Sequence, residues 1–178
     1  MIEDLNNIII VFGALGVFLA FIIEELIVFI PSVLVHIPAG AIILGGEAFG
    51  FLGISKLLLI VALPSALGVT IGSLVIYFIT YYGGEFALKT YGKYFKVSSQ
   101  KIERVREKIA SNKNTVRAIT ILRFLPIFPN TVVTACAGIL RIKLKPYFVS
   151  TMIGIFIRAT YLGAIGWSLG SLYKFVVN

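Results

Sequence analysis

The sequence predicts an all-α integral membrane protein built as an inverted repeat, each copy a re-entrant helical hairpin followed by a transmembrane helix. Three observations carry this prediction. The chain is 58% hydrophobic and 13% charged, with a mean hydropathy of +0.99. Its apolar residues gather in long runs at 5–23, 26–46, 57–82, 118–140 and 146–173. Shifted by 98 residues without a gap, residues 20–80 fall on 118–178 with eleven identities in sixty-one positions. The identities include a proline and three glycines, the residues that decide where helices break or pack closely. Lastly, the basic residues cluster: nine of sixteen lie between Lys89 and Arg117, and Arg141, Lys143 and Lys145 form a second group.

The start, MIEDLNN, is acidic where a signal peptide would be basic. The first apolar run is therefore expected to be retained, either crossing the membrane or lying along its outer surface with Glu3 and Asp4 in water. The 178 residues are expected to form one membrane domain, with repeat one at 20–82, a connector at 83–117 and repeat two at 118–178.

Charge placement sets the expected topology. Both basic clusters belong on the cytoplasmic side. One crossing by residues 118–140 would leave Arg141, Lys143 and Lys145 outside, whereas a re-entrant hairpin would not. Pro126 and Pro129 lie near the middle of that stretch, leaving arms of about eleven residues that rise about 16 Å, roughly half the hydrocarbon core. The first copy breaks likewise at Pro31, and its spanning helix, near 57–82, ends at the cytoplasmic cluster. Hairpin one then opens outward and hairpin two inward, with a cavity between them, because broken backbone at that depth must be buried in protein or lie against water. The connector is expected to carry an amphipathic helix near 98–112 that is capped by Ser98 or Ser99. Its apolar stripe is Ile102, Val105 and Ile109, and its other face is basic. Topology accounts for that charge, so nucleic acid is not an expected partner; anionic headgroups of membrane lipids are.

Four ionisable residues lie inside apolar runs: Glu24, Glu25, Arg123 and Arg158. Burying a charge there is costly, so such residues usually face a cavity and have a partner. Arg123 is the first candidate to hold a phosphate, since its planar fork of donors stays charged when partly dehydrated. Its bland role is to tie the hairpin carbonyls or neutralise a glutamate. Arg158, near mid-depth in the last helix, could pair with Glu24 or Glu25. A desolvated carboxylate at Glu25, the glutamate that falls on Arg123 in the repeat, could hold a proton near neutral pH and couple transport to a proton gradient. Gly68 and Gly72, like Gly166 and Gly170, form small-xxx-small faces for close helix packing and no chemistry. A single cysteine, Cys136, and a single histidine, His36, offer no internal disulfide, metal cluster or catalytic triad. No cofactor, metal site or enzymatic activity is expected.

Several motifs resemble one family. They run in this order: an acidic residue, then PS and PAG in the first hairpin; GxxxG followed by Tyr77; YGKYF; a basic amphipathic helix; RFLPIFPN with AG eight residues on; and a closing GxxxG. The most specific is Arg123-x-x-Pro126 with Pro129-Asn130 and Ala137-Gly138. The chain resembles the DedA superfamily, also called the SNARE-associated Golgi protein or VTT-domain family, over residues 20–172. The resemblance implies two opposed re-entrant hairpins. It also implies a role in moving lipids between leaflets, undecaprenyl phosphate in bacteria and phospholipids in eukaryotic relatives. Bacterial members typically carry a second arginine where this chain has Pro129 and an acidic residue where it has Val33. The Pro129-Asn130 pair is closer to the eukaryotic-type VTT branch.

The expected function is thus transport of a phosphate-bearing lipid between leaflets of the cell membrane. Arg123, Glu25, Asn130, Arg158 and Glu24 are the candidate substrate-binding residues, and Pro31, Pro126, Pro129, Gly40 and Gly138 shape the hairpins. A secondary transporter of a small anion or ion, and a non-transporting scaffold, are the alternatives; a homo-oligomer is left open. In a Cys136→Ser background, single cysteines at positions 117 and 143 should react with membrane-impermeant reagent from one and the same face. Labelling from opposite faces would remove the second hairpin.

Overall fold

The computed structural model describes residues 2–27, 31–83 and 115–177, with side chains from Phe12 to Leu172 within those ranges. Among them every regular element is helical. The expected connector, including its amphipathic helix at 98–112, lies outside the described residues apart from Gly83 and residues 115–117.

Helix α1 (Ile2–Leu26) is broken at Gly13, whose φ of 54° and ψ of −124° interrupt the helix at a residue without a Cβ. Helix α2 (Val33–Leu44) starts after Pro31 and Ser32 and runs through Pro38. A short helix α3 (Phe51–Lys56), a π-helical segment (Leu57–Ala62) and α4 (Leu63–Tyr82) follow without interruption. The widened turn has a local cause. Pro64 has no N–H to give its preceding turn and its ring crowds the carbonyl there, and the π segment, closed by Leu63 N–H donating to Leu58 O, makes the room.

Helix α5 (Thr115–Phe124) ends before Pro126, and α6 (Asn130–Ile139) begins after Pro129. The carboxyl end of α6 closes tightly: Arg141 adopts a left-handed φ of 51°, its N–H donates to Gly138 O at 2.8 Å, and Ile142 N–H donates to Ala137 O at 3.0 Å. Helix α7 (Leu144–Val177) therefore starts almost at once, with Pro146 in its first turn, where a missing N–H costs nothing. Among the described residues two helices are long and apolar enough to cross a membrane, Phe51–Tyr82 and Leu144–Leu172. Both leave apolar side chains uncovered, including Leu59, Val75 and Ile79 on the first and Ile153, Leu169 and Leu172 on the second.

The helices pack in two corresponding pairs of contacts. α1 lies on α4 and α5 lies on α7, while α2 crosses to α7 and α6 crosses to α4. Small residues set these approaches. A Cβ at Gly40 would collide with the Gly163 carbonyl, and one at Gly138 with Thr80 and the Tyr77 carbonyl. Gly40 and Gly138 thus act by letting each hairpin's second arm sit against the long helix of the other half; the breaks themselves fall at Pro31 and at Pro126 to Pro129.

One register expectation is corrected. Gly72 meets Ile22 and Glu25 on α1, and Gly154 meets Thr120 and Arg123 on α5. Ile22 and Glu25 are 98 residues from Thr120 and Arg123, but Gly72 and Gly154 are 82 apart. Gly68 packs on Phe18 and Phe21, whereas Gly166, its partner in the ungapped comparison, packs on Ile37 and Ala41. The hairpins correspond at one shift and the long helices at another. The first half places residues 45–62, with α3 and the π segment, between its hairpin and α4; the second half uses only residues 140–143. At the new shift Pro64 falls on Pro146 and Ile71-Gly72 on Ile153-Gly154.

Gly40→Val and Gly138→Val should each lower stability by about 2 kcal/mol or more, since backbone rather than a mobile side chain opposes the added atoms. Gly50→Ala, where a Cβ meets nothing within 4 Å, should stay within about 0.5 kcal/mol of the parent. Unfolding in detergent measures both.

Candidate functional site

The four ionisable residues that lie inside apolar runs of the sequence come together where the two helix breaks meet. Glu25 and Arg123, both fully buried, approach to 3.7 Å between Oε1 and Nη1. A hydroxyl completes the bridge. Arg123 Nη2 donates to Thr134 Oγ1 at 2.7 Å and to Tyr147 OH at 2.9 Å. Thr134 Oγ1 is 2.8 Å from Glu25 Oε1 and 3.0 Å from Asn130 O, and its single proton can serve either acceptor. The network joins α1, α5, α6 and α7. Tyr147 also lies under the guanidinium, 5.9 Å from its carbon to the ring centroid, and stacks at 4.6 Å on Tyr77 of α4. Tyr77 OH in turn donates to Ile142 O at the end of α6.

Arg158 occupies a different place. Its Nη1 donates to Asn130 Oδ1 at 3.0 Å and its Nη2 to Pro126 O at 3.2 Å, tying α7 to the turn between α5 and α6. Among the described residues no ion pair joins it to Glu24 or Glu25. The expected Arg158–glutamate pair is replaced by hydrogen bonds to the break itself, whose freed carbonyls need donors.

Between the two breaks lies a cavity of about 250 Å³. Its polar wall is Glu24, Ser32, Asn130, Thr131 and Arg158, all at least nine-tenths buried. Its rim is apolar: Pro126, Ile127 and Phe128 line it and are exposed, Ile127 to 78%. Four polar groups of the wall, Glu24 Oε2, Asn130 Nδ2, Thr131 Oγ1 and Arg158 Nε, have no hydrogen-bond partner. Buried polar groups are rarely left so, which makes the cavity a place where a polar ligand or water would be held.

Residues 30–168 match the family model of the VTT domain. The chain belongs to the VTT-domain family. This is the domain of the DedA and SNARE-associated proteins, a membrane-associated, transport-related family whose members are generally not enzymes. No curated protein and no solved structure matches the chain.

Within this VTT domain two sequence expectations change places. Arg123 was expected at the cavity and is instead enclosed by Glu25, Thr134 and Tyr147; Arg158 is the arginine that lines it. Likewise Glu24, not Glu25, faces the cavity, because α1 turns Glu25 toward Gly72 and Arg123. Asn130 lines the cavity as expected, and Pro31, Pro126 and Pro129 form its turns. Thr134, Tyr147, Ser32 and Thr131 were not singled out. One signal did exist for Thr134: it stands one helical turn beyond Asn130, on the same face. His36 is buried against Phe21, with Nδ1 2.7 Å from Ser32 O, and Cys136 is half-buried and free.

Removing one partner of a buried pair leaves an uncompensated charge. Arg123→Gln alone should cost about 3–5 kcal/mol, and adding Glu25→Gln should return at least about half of that. Thr134→Val should cost about 1–3 kcal/mol, the penalty of leaving buried groups unmatched. A double-mutant cycle by denaturant unfolding in detergent tests this, and simple additivity would dissolve the pair.

Proposed function

We propose that this VTT-domain protein passes a phosphate-bearing lipid between the leaflets of the cell membrane. The hairpins α1–α2 and α5–α6 enter from opposite faces, meet mid-bilayer and enclose the headgroup site. The observation that carries this reading is the cavity's division into an apolar, exposed rim and a buried polar wall. A lipid presents the same division, with a headgroup for Arg158 and Asn130 and chains that stay beside Ile127 and Phe128. A water-soluble ion would gain nothing from an apolar mouth.

Helix lengths support the hairpins. At 1.5 Å per residue, α5 and α6 each rise about 15 Å and α2 about 18 Å, half or a little more of a hydrocarbon core of about 30 Å. Contacts between corresponding residues support the inverted repeat. Glu25 touches Arg123, its counterpart at a shift of 98, and Thr70 Oγ1 lies 3.8 Å from Sδ of Met152, its counterpart at a shift of 82. Residues touch their own counterparts only near a two-fold axis, so both contacts fit an axis running through the ion pair. On this reading the basic connector is cytoplasmic, Arg158 takes the phosphate, Arg123 and Glu25 clamp the hairpins, and a proton on Glu25 would loosen that clamp.

Leaflet exchange of labelled phospholipid in proteoliposomes tests the proposal. Arg158→Gln should slow exchange about tenfold or more per folded protein, the loss of a charge-assisted contact, while Arg158→Lys retains part of it. Equal rates for Arg158→Gln and the parent would remove the headgroup site. Saturable uptake of a soluble anion without lipid exchange would replace the lipid reading with the small-anion one.

A further inference from the structure

Resting on the inverted-repeat transport reading, we infer that His36 is a positioning residue for translocation: in a second state of the protein its imidazole takes over from Thr134 as the acceptor that holds Arg123. In the present state His36 belongs neither to the clamp nor to the cavity wall. It is fully buried, yet its Nε2 has no hydrogen-bond partner, and packing against Phe21 does not account for that. A ring needed only for its bulk would carry no nitrogen there.

The register of the hairpins supplies a reason for the nitrogen. The shift of 98 that puts Glu25 on Arg123 also puts Ser32 on Asn130 and His36 on Thr134. Both second arms keep the same local bond at this place. His36 Nδ1 lies 2.7 Å from Ser32 O and Thr134 Oγ1 lies 3.0 Å from Asn130 O, each the carbonyl four residues back. A carbonyl only accepts, so Nδ1 carries the proton, and in the neutral ring Nε2 is left as a bare acceptor. Thr134 Oγ1 plays that part now, accepting from Arg123 Nη2 at 2.7 Å.

With the proposed axis running through the ion pair, α2 and α6 can each close on Glu25 and Arg123 from their own half. The structure shows the closure by α6. Arg123 has donors left for the other one, because its Nε and Nη1, both buried, have no hydrogen-bond partner. A guanidinium carries five such donors and can be answered from two sides. An arm that brings Nε2 to them offsets the release of Thr134, and two closures of similar energy are what a two-state carrier requires. The imidazole also reaches farther than a hydroxyl, so α2 need not come as close as α6 does.

The test measures distances and lipid exchange in proteoliposomes of the full chain carrying Cys136→Ser. Spin labels on cysteines placed at Leu34 of α2 and Ile121 of α5, both exposed, report how closely these arms approach. With His36 and Thr134 intact, two distances are expected. Thr134→Val should enrich the shorter one about tenfold, the loss of a hydrogen bond to a charged group. His36→Phe keeps the packing and removes the acceptor, so it should leave only the longer distance and slow phospholipid exchange about tenfold or more. His36→Gln, whose amide oxygen can stand near the place of Nε2, should recover both readings. Loss of folded protein does not shift populations in opposite directions, so the two arms separate positioning from packing. A single distance in every variant, populations that neither Thr134→Val nor His36→Phe moves, or equal exchange by His36→Phe and the parent would each overturn the role of His36. Populations that shift as expected without lipid exchange by the parent would keep that role and overturn the lipid reading.

Discussion

The buried contact between Glu25 and Arg123 is the constraint around which the rest of the molecule is arranged. Neither residue is tolerable alone in an apolar interior, and only their approach with added hydrogen bonds offsets the loss of water. Thr134 and Tyr147 supply those bonds, and each comes from a different helix. The pair therefore brings α1 and α5 together at one point, Glu25 against Arg123, and α6 and α7 close around it. Gly72 and Gly154 make this possible, because each gives the Cβ of Glu25 or Arg123 a place against a long helix that a larger residue would fill.

Fixing one ion pair leaves Glu24 and Arg158 to line the cavity. Helical geometry turns Glu24 about 100° away from Glu25, and that rotation carries it from the clamp into the cavity. Arg158 reaches the same cavity from α7, anchored on the carbonyl of Pro126 and the amide of Asn130. Its place in the other half, at the shift that relates Gly72 to Gly154, is held by Ile76. The clamp is thus shared by both halves, whereas the cavity's positive charge comes from one. Under the proposed function, a headgroup held there would sit beside the proposed axis, against the second hairpin.

Much of this was legible from the residues. Apolar run lengths and the position of prolines marked α1, α2, α4, α5, α6 and α7 and both breaks, but not α3, because helix geometry and the missing proline N–H act locally. The shift of 98 put Glu25 opposite Arg123, since the hairpins keep that spacing. What failed was nonlocal. The ungapped register of the long helices followed the GxxxG likeness of Gly68 to Gly166, while packing follows Gly72 and Gly154, because α3 and the π segment lengthen the first half only. The choice between Glu24 and Glu25, and between Arg123 and Arg158, turns on helix rotation, which a single chain of apolar runs leaves undetermined until the partner helix is known. Thr134 stayed hidden for another reason. A hydroxyl in an apolar helix most often bonds back to its own preceding turn, as Ser65, Thr70 and Thr160 do here.

The asymmetry between the halves also bears on how the hairpins could move. The second hairpin passes into α7 through residues 140–143, pinned by the left-handed turn at Arg141 and by Tyr77 on Ile142. The first passes through residues 45–62, where the π segment widens the helix just ahead of Pro64. Such widened turns are places where helices bend. If one hairpin shifts against the clamp as a lipid passes, the first has the slack to do so and the second does not. Most of the cavity's polar wall would then stay with the fixed partner, because Asn130, Thr131 and Arg158 all belong to the second half, and Glu24 and Ser32 face them from the first. Under the proposed function, one side of the site would stay constant to recognise a ligand and the other would be free to release it, a division that these five residues follow.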